Sequence, residues 1–195
     1  MTDGAVFLDR DGVLNEDVFP TPLRWSQVRF LPGALAAVAR LTRAGLRVFV
    51  VTNKTAMGWK VLSPARNDEI NRGILAAIEE AGGRVTKLYF CGHHPWAGCE
   101  CRKPKPGMLV AAQREFGVEP GASWMVGDNL TDVLAGRAFG ARTALVYGSE
   151  ARRRRLARGI ARARPDLVAP DLSSAVDRIL ADGKVLAPGR DASPP

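Results

Sequence analysis

The feature that most constrains this chain is an uncharged strand running straight into two acids and a glycine, Ala5-Val6-Phe7-Leu8-Asp9-Arg10-Asp11-Gly12. Consecutive apolar residues without alternation read as a strand buried on both faces, as in a parallel sheet. In open α/β sheets ligands sit beyond the carboxyl ends of the strands, so Asp9 and Asp11 fall where a site would be. Gly12 lets the backbone turn away after them. Two carboxylates that close together can hold a divalent cation through oxygen. A turn or a helix cap would use the same residues, so the rest of the chain has to decide.

After a polar and aromatic loop over residues 15–31, which holds Pro20, Pro22 and Trp25, a helix is predicted between Pro32 and Gly45. Leu35, Val38 and Leu41 share its apolar face. A buried strand over Leu46–Val51 ends in Thr52-Asn53. Ser63-Pro64 starts a helix reaching about Ala81, where Gly82-Gly83 stops it. A strand over Val85–Phe90 leads into a cysteine and histidine loop, then a helix over Pro106–Phe116. A strand over Ser123–Val126 ends in Gly127-Asp128, followed by a helix over Leu130–Phe139 and a strand over Arg142–Val146. An arginine-rich segment, a short strand at Leu167-Val168 and a helix over Ser173–Leu180 complete the pattern. Strands alternating with helices predict an α/β fold, a Rossmann-like doubly wound parallel sheet. We expect a single domain over 1–182 and a loose tail over 183–195.

Composition narrows the function classes. At 195 residues, 46% hydrophobic and 25% charged, the chain has the balance of an ordinary globule with room for a sizeable core. No apolar run approaches membrane-spanning length and a strand begins by residue 5, so neither a signal peptide nor an anchor is expected, and the setting should be cytoplasmic. The net charge of +8 is local: residues 151–164 hold seven arginines and no acid, and subtracting them leaves +1. That distribution argues against a nucleic-acid footprint over the whole fold. Cys91, Cys99 and Cys101 lie within eleven residues, a clustering that suggests a metal before disulfides.

Polar groups now end four strands: Asp9 with Asp11, Thr52 with Asn53, Arg102 with Lys103 beyond the third strand, and Asp128 with Asn129. A carboxylate, a hydroxyl, a cation and a second carboxylate at one sheet edge suit phosphoryl transfer, which needs positioning and charge neutralisation above all. In the cysteine loop, Cys91, Cys99, Cys101 and one imidazole match a closed tetrahedral zinc site with no open position for substrate. Spacing cannot choose between His93 and His94. Such a zinc ion would hold the loop so that Arg102 and Lys103, directly after Cys101, face the site.

Asp9-Arg10-Asp11-Gly12, Val51-Thr52-Asn53, Cys101-Arg102-Lys103-Pro104 and Gly127-Asp128 with Asp132 resemble the four motifs of the haloacid dehalogenase-like phosphatases. More narrowly they resemble the branch holding D-glycero-D-manno-heptose-1,7-bisphosphate 7-phosphatase and histidinol-phosphatase. The resemblance runs from about residue 5 to 147, and more weakly to about 181. It implies a capless fold with Asp9 as nucleophile, Asp11 as general acid and then base, and Thr52 and Lys103 holding phosphoryl oxygens. It implies Mg²⁺ held by Asp9, Asp128 and the carbonyl of Asp11, and it selects His93 as the fourth zinc ligand. Asp132 is expected as a partner of Lys103 or of metal-bound water, and Lys103 is preferred over its rival Lys105. Arg102 is implied as a recognition residue. Asn53, Lys54, Thr55 and Asn129 are further candidate substrate contacts.

Only 42 residues separate Asp9 from Thr52, and 50 separate Thr52 from Lys103, too few for a cap domain beside the elements already assigned. Substrate would then be gripped by loops at 15–26 and 54–62 and by the zinc loop. The sequence departs from the branch in these loops, at Val18-Phe19-Pro20 and Lys54-Thr55-Ala56-Met57-Gly58-Trp59-Lys60. Lys54 and Lys60 could bind an anion or be solvated surface lysines. Trp59 could stack on a sugar or an imidazole, or cover the core edge. The expected activity is Mg²⁺-dependent hydrolysis of a small sugar phosphate, with the 7-phosphate of the heptose bisphosphate first. Histidinol phosphate or another small molecule is the alternative. A nucleic-acid 3′-phosphatase and a basic binding module built on Arg152 to Arg164 rank below these. A monomer is expected, with neither membrane nor nucleic acid as partner.

Overall fold

The computed structural model describes residues 4–18 and 21–182; the expected tail over 183–195 lies outside the described residues. Six strands, β1 (Ala5–Leu8), β2 (Arg47–Asn53), β3 (Lys87–Cys91), β4 (Trp124–Gly127), β5 (Arg142–Val146) and β6 (Leu167–Ala169), pair in parallel in the order β3-β2-β1-β4-β5-β6. The chain winds outward from β1 to β3 on one side, then crosses to β4 on the other. This reversal beside β1 is the topological switch point, where open α/β sheets form a crevice. Register places Leu8 level with Val50 and Val126, and Asp9 N donates to Val126 O at 2.9 Å. The segment after β1 is thereby tied to the end of β4.

The uncharged run in β1 has the physical cause expected of it, since both faces of the strand are covered. Val6 and Leu8 join Val48, Val50 and Val126 beneath α1 (Ala34–Arg43), α3 (Pro64–Glu80) and α7 (Leu172–Ala181). Ala5 and Phe7 join Phe49, Val51 and Met125 on the opposite face, beneath α4 (Gly107–Phe116) and α5 (Leu130–Phe139). Phe7 stacks on Phe49 at 5.2 Å and meets Phe139 edge-on at 5.6 Å. Burying each such side chain is worth about 1.5–3 kcal/mol, so these layers fix where the strand ends lie. A third cluster seats α6 (Glu150–Ala163) through Leu156, Ile160 and Ala163 against Leu130 and Val133 of α5. At Gly159 an added Cβ would come within 2.2 Å of Leu130, so the two helices approach more closely than a side chain would permit.

Local signals account for most helix ends. Ser63 caps α3 by accepting from Arg66 N, and Pro64 occupies its first turn. The expected face of α1 is only partly closed, with Val38 and Leu41 buried and Leu35 partly so. Thr52 and Asn53 extend β2 because they pair with Phe90 and Cys91. The short helix α2 (Thr55–Gly58) was not foreseen: one turn offers no period to read, and no side chain caps it. An added Cβ at Gly58 would meet the main chain of His94 at 2.5 Å, so α2 sits directly on the histidine loop. Among the described residues no cap domain interrupts the chain between β1 and Lys103, and no helix is long and apolar enough to cross a membrane.

Candidate active site

Three neighbouring strand ends and the loop after β3 converge on Lys103. Its ammonium is almost wholly buried, 2.9 Å from Asp9 Oδ1 and 2.6 Å from Asp132 Oδ1, and donates to Val51 O at 2.8 Å. Although burial works against a charged amine, Asp132 and Asp9 hold it protonated, with its pKa pushed up to about 12. Asn53 fixes the main chain of the same residue. Its Nδ2 donates to Lys103 O and its Oδ1 accepts from Lys103 N, both at 3.1 Å. Asn53, expected as a substrate contact, lines the cavity and also places Lys103 through both of its polar ends. Lys105 turns away to Glu100 and Gly98, so the preferred lysine of the two is the one inside.

Asp11 carries a different set of partners. Arg10 reaches its Oδ1 from Nε at 3.3 Å and Nη2 at 3.1 Å, Asn15 Nδ2 donates at 2.9 Å, and Lys54 Nζ lies 2.5 Å from Oδ2. Thr52, also buried, points its hydroxyl at Oδ2 from 3.5 Å. Burial alone would raise the carboxyl, but Arg10 and Lys54 outweigh it and hold Asp11 well below the usual carboxylate range. Lys54 is therefore not a solvated surface lysine. Only Lys60, which is exposed, fits that description. Arg10, fully buried and also donating to Asn71 Oδ1 at 2.8 Å, was missed in the sequence. The available signal was a cation between two acids in a segment that had to be buried.

Asp9 and Asp128 lie on the other side of Lys103. Burial, aided by Asp132 and Asp11 and opposed by Lys103, pushes Asp9 up to about 7. Burial and Asp9 push Asp128 up to about 6, against Arg152. Asp132 Oδ2 accepts from Asn129 N at 3.0 Å while Oδ1 faces Lys103, so Asp132 is engaged at both oxygens. Gly12 makes the cluster possible. It has φ +84°, and a Cβ there would come within 2.1 Å of Asp128 Oδ2. Carboxylates raised by burial and by each other are a donor set that a divalent cation stabilises, and hard oxygen ligands suit magnesium. The residues present therefore fit such an ion.

The cysteine loop forms a separate cluster. Cys91 and Cys99 Sγ are 3.6 Å apart, as are Cys99 and Cys101 Sγ, and His93 Nδ1 lies 3.6 Å from Cys91 Sγ and 3.2 Å from Cys101 Sγ. A tetrahedral zinc ion with Zn–S of about 2.3 Å requires ligand edges of about 3.8 Å, so these four donors fit zinc with little movement. His94 is excluded from the cluster. Its ring meets Trp59 edge-on at 4.1 Å and tilts against Trp96 at 4.7 Å, so Trp59 packs against a histidine of this chain.

A cavity of about 400 Å³ opens over Asp9, Asp11 and Lys103, walled by Asp17, Val18 and Thr21 from one loop and Lys54 to Ala56 from another. Asn129 and Thr131 close the far side. Asn129 also caps α5 by accepting from Thr131 N. Of the cysteine loop and its exit, Lys103 alone lines this space. Arg102 stands behind the wall, with Nη2 donating to Thr55 Oγ1 at 2.8 Å and Nη1 buried without a hydrogen-bond partner. Arg152, from the arginine-rich segment, also reaches the cluster: Nη2 lies 2.5 Å from Asp128 Oδ2 and donates to Asp128 O at 3.0 Å. Nothing in the run of arginines marks that one as different.

Comparison with known proteins agrees with this arrangement. A family model described as HAD-hydrolase-like matches residues 100–175. The D-glycero-beta-D-manno-heptose-1,7-bisphosphate 7-phosphatase of Pseudomonas aeruginosa is 36% identical over 149 residues, covering 75% of this chain and 82% of that protein. The protein of the same name from Neisseria meningitidis is 37% identical over 144 residues, covering 72% and 75%. Among solved structures, the D,D-heptose 1,7-bisphosphate phosphatase of B. bronchiseptica, complexed with magnesium and phosphate, superposes with a TM-score of 0.83 at 32% identity, covering 92% of this chain and 99% of that one. The corresponding enzyme of Burkholderia thailandensis gives a TM-score of 0.68 at 30% identity, covering 91% and 99%.

Proposed function

Since this chain belongs to the haloacid dehalogenase-like phosphatases and is a phosphoric monoester hydrolase, we propose that it removes the 7-phosphate of D-glycero-D-manno-heptose 1,7-bisphosphate. The beta anomer in the names of its relatives makes that anomer the first choice. The carrying observation is the convergence of Asp9, Lys103, Asp11 and Asp128 at the switch point beneath an open, polar cavity. Three reduced cysteines favour a cytoplasmic setting.

In this reading a carboxylate oxygen of Asp9 attacks phosphorus while the bond to the sugar oxygen breaks, leaving an aspartyl-phosphate. The departing oxygen takes its proton from Asp11. That carboxylate starts ionised; the arriving phosphate dianion raises its proton affinity by adding negative charge beside it, and the proton that Asp11 then takes up from solvent is the one it passes to the departing oxygen. Asp11 then takes a proton from a water molecule whose oxygen attacks phosphorus, breaking the bond to Asp9 and releasing phosphate. Thr52 and Lys103 hold the phosphoryl oxygens, and Lys54 keeps Asp11 aimed. Asp9, Asp128 and the carbonyl of Asp11 would hold Mg²⁺, which when bound keeps Asp9 ionised and neutralises phosphoryl charge. Cys91, His93, Cys99 and Cys101 would hold a structural Zn²⁺. Arg102, implied by the resemblance as a recognition residue, stands behind the wall and would act on the rest of the substrate through Thr55, which it holds at the cavity edge.

The test is phosphate release in Mg²⁺ from both anomers of the heptose bisphosphate, histidinol phosphate, fructose 1,6-bisphosphate and a 3′-phosphorylated oligonucleotide. A kcat/KM preference of about a hundredfold, roughly 2.7 kcal/mol of transition-state discrimination, is expected for one heptose bisphosphate. A flat profile would overturn the substrate and leave the reaction class.

A further inference from the structure

Arg152 differs from the arginines that follow it. Its side chain is 29% exposed, against 55% for Arg153, and Arg154, Arg155 and Arg158 are also exposed. The seat of α6 on α5 through Leu156, Ile160 and the close contact at Gly159 delivers Arg152, near the start of α6, to the end of β4. There its Nη2–H points at the carbonyl oxygen of Asp128, at 3.0 Å. The carboxylate oxygen Oδ2 lies 2.5 Å from the same nitrogen, so the guanidinium holds both the carbonyl and the carboxylate of Asp128. A cation drawn to Asp128 Oδ2 therefore competes with a guanidinium that is also tied to the Asp128 carbonyl.

The charges of the site then nearly balance. Asp11 faces Arg10 and Lys54, Asp9 and Asp132 share Lys103, and Asp128 faces Arg152. Four carboxylates meet four cations, and Asp17 on the cavity wall adds one further negative charge that also acts on Asp128. A dication entering alone unbalances this set by two charges beside a fixed guanidinium, and so does a phosphoryl dianion entering alone with the opposite sign. Entering together, they cancel. We infer that Arg152 is a built-in counter-cation of the metal site, which holds down affinity for Mg²⁺ alone and couples its binding to that of the phosphoryl group. The inference rests on the reading that Asp9 and Asp128 hold Mg²⁺, and it gives one arginine of the basic segment a task within the site.

A unit charge a few ångströms from a divalent ion changes its affinity about tenfold even at the dielectric constant of water. Calorimetric titration of the zinc-loaded protein with MgCl₂, with and without saturating inorganic phosphate, reads this directly. In the wild-type chain phosphate should tighten Mg²⁺ about tenfold or more, and Mg²⁺ should tighten phosphate by the same factor. Arg152→Gln should bind Mg²⁺ alone about tenfold more tightly and, with Mg²⁺ saturating, bind phosphate about tenfold more weakly. Arg152→Lys, which keeps the charge, should stay near the wild type in both. Unchanged or weaker Mg²⁺ binding by Arg152→Gln would overturn the inference and leave Arg152 as a prop for Asp128. Absence of coupling in the wild type would overturn it without any variant. A wild-type chain that binds no Mg²⁺ even with phosphate would sink the metal reading itself, and the inference with it.

Discussion

Asp9→Asn should abolish turnover and, in magnesium-free buffer, make the protein more stable at pH 8. Burial, with Asp132 and Asp11 nearby, pushes the Asp9 carboxyl up to about 7, whereas an unfolded aspartate titrates near 3.9. With the native value above the unfolded one, the native chain holds the extra proton between them. The associated stability is complete below about pH 4 and is lost as pH rises through 7. About three pH units at roughly 1.36 kcal/mol each give about 4 kcal/mol. Residual solvent at a side chain 13% exposed reduces this to about 2–4 kcal/mol. Asparagine, neutral at every pH, escapes that cost. Asp128, pushed up to about 6 by burial and by Asp9, adds a slope in the same direction, smaller in the variant because the Asp9 charge is gone. Urea unfolding at pH 5 and pH 8, with zinc retained and no magnesium, measures the difference. The variant should lead by about 1 kcal/mol at pH 5, where the unfolded aspartate is already ionised, and by about 2–4 kcal/mol at pH 8, the latter worth roughly 5–15 °C in Tm for a domain of this size. Saturating Mg²⁺ should close the gap, because the cation favours the carboxylate. A variant no more stable than wild type at pH 8, or a wild type whose stability rises from pH 5 to pH 8, would refute the reasoning.

Three further perturbations separate the parts of the site. Cys99→Ser should empty the zinc cluster and lower kcat/KM by about 10–100-fold while leaving Mg²⁺ affinity near wild type, since Asp9 and Asp128 directly follow β1 and β4. Zinc content assayed beside activity checks this, and full activity without zinc would contradict it. Gly12→Ala places a methyl within 2.1 Å of Asp128 Oδ2 at φ +84°, so Mg²⁺ affinity should fall at least about tenfold, with about 1–3 kcal/mol of lost stability. Calorimetry and urea unfolding report the two effects. Asn53→Ala breaks two hydrogen bonds to the Lys103 main chain and should cost about 2 kcal/mol, with kcat falling more than KM rises. A raised KM at unchanged stability would instead make Asn53 a substrate contact.

How much could be read from the sequence follows from how far apart the cooperating residues lie. The unbroken apolar run of β1 is dictated by two covered faces, so the strand, the parallel sheet and the acids at its end were all legible. The cluster of Cys91, His93, Cys99 and Cys101 was legible as a candidate zinc site because its donors fall within eleven residues, and Lys103 because it follows Cys101 after one residue. His93 could not be told from His94 by spacing; the choice is made by α2, whose Gly58 abuts the loop and whose neighbour Trp59 takes the His94 ring. The burial of Lys54 was illegible for a related reason. A lysine just past a strand reads as solvated, and only the approach of Asp11 from 43 residues away gives its charge a partner inside. Arg152 lies farther still in kind, since its meeting with Asp128 depends on the angle at which α6 packs on α5. Local chemistry thus identifies the groups that react, and tertiary packing decides which charges surround them. The affinity of the site for its metal and its phosphate belongs to that second level, and it changes when a surface helix contributes one guanidinium rather than none.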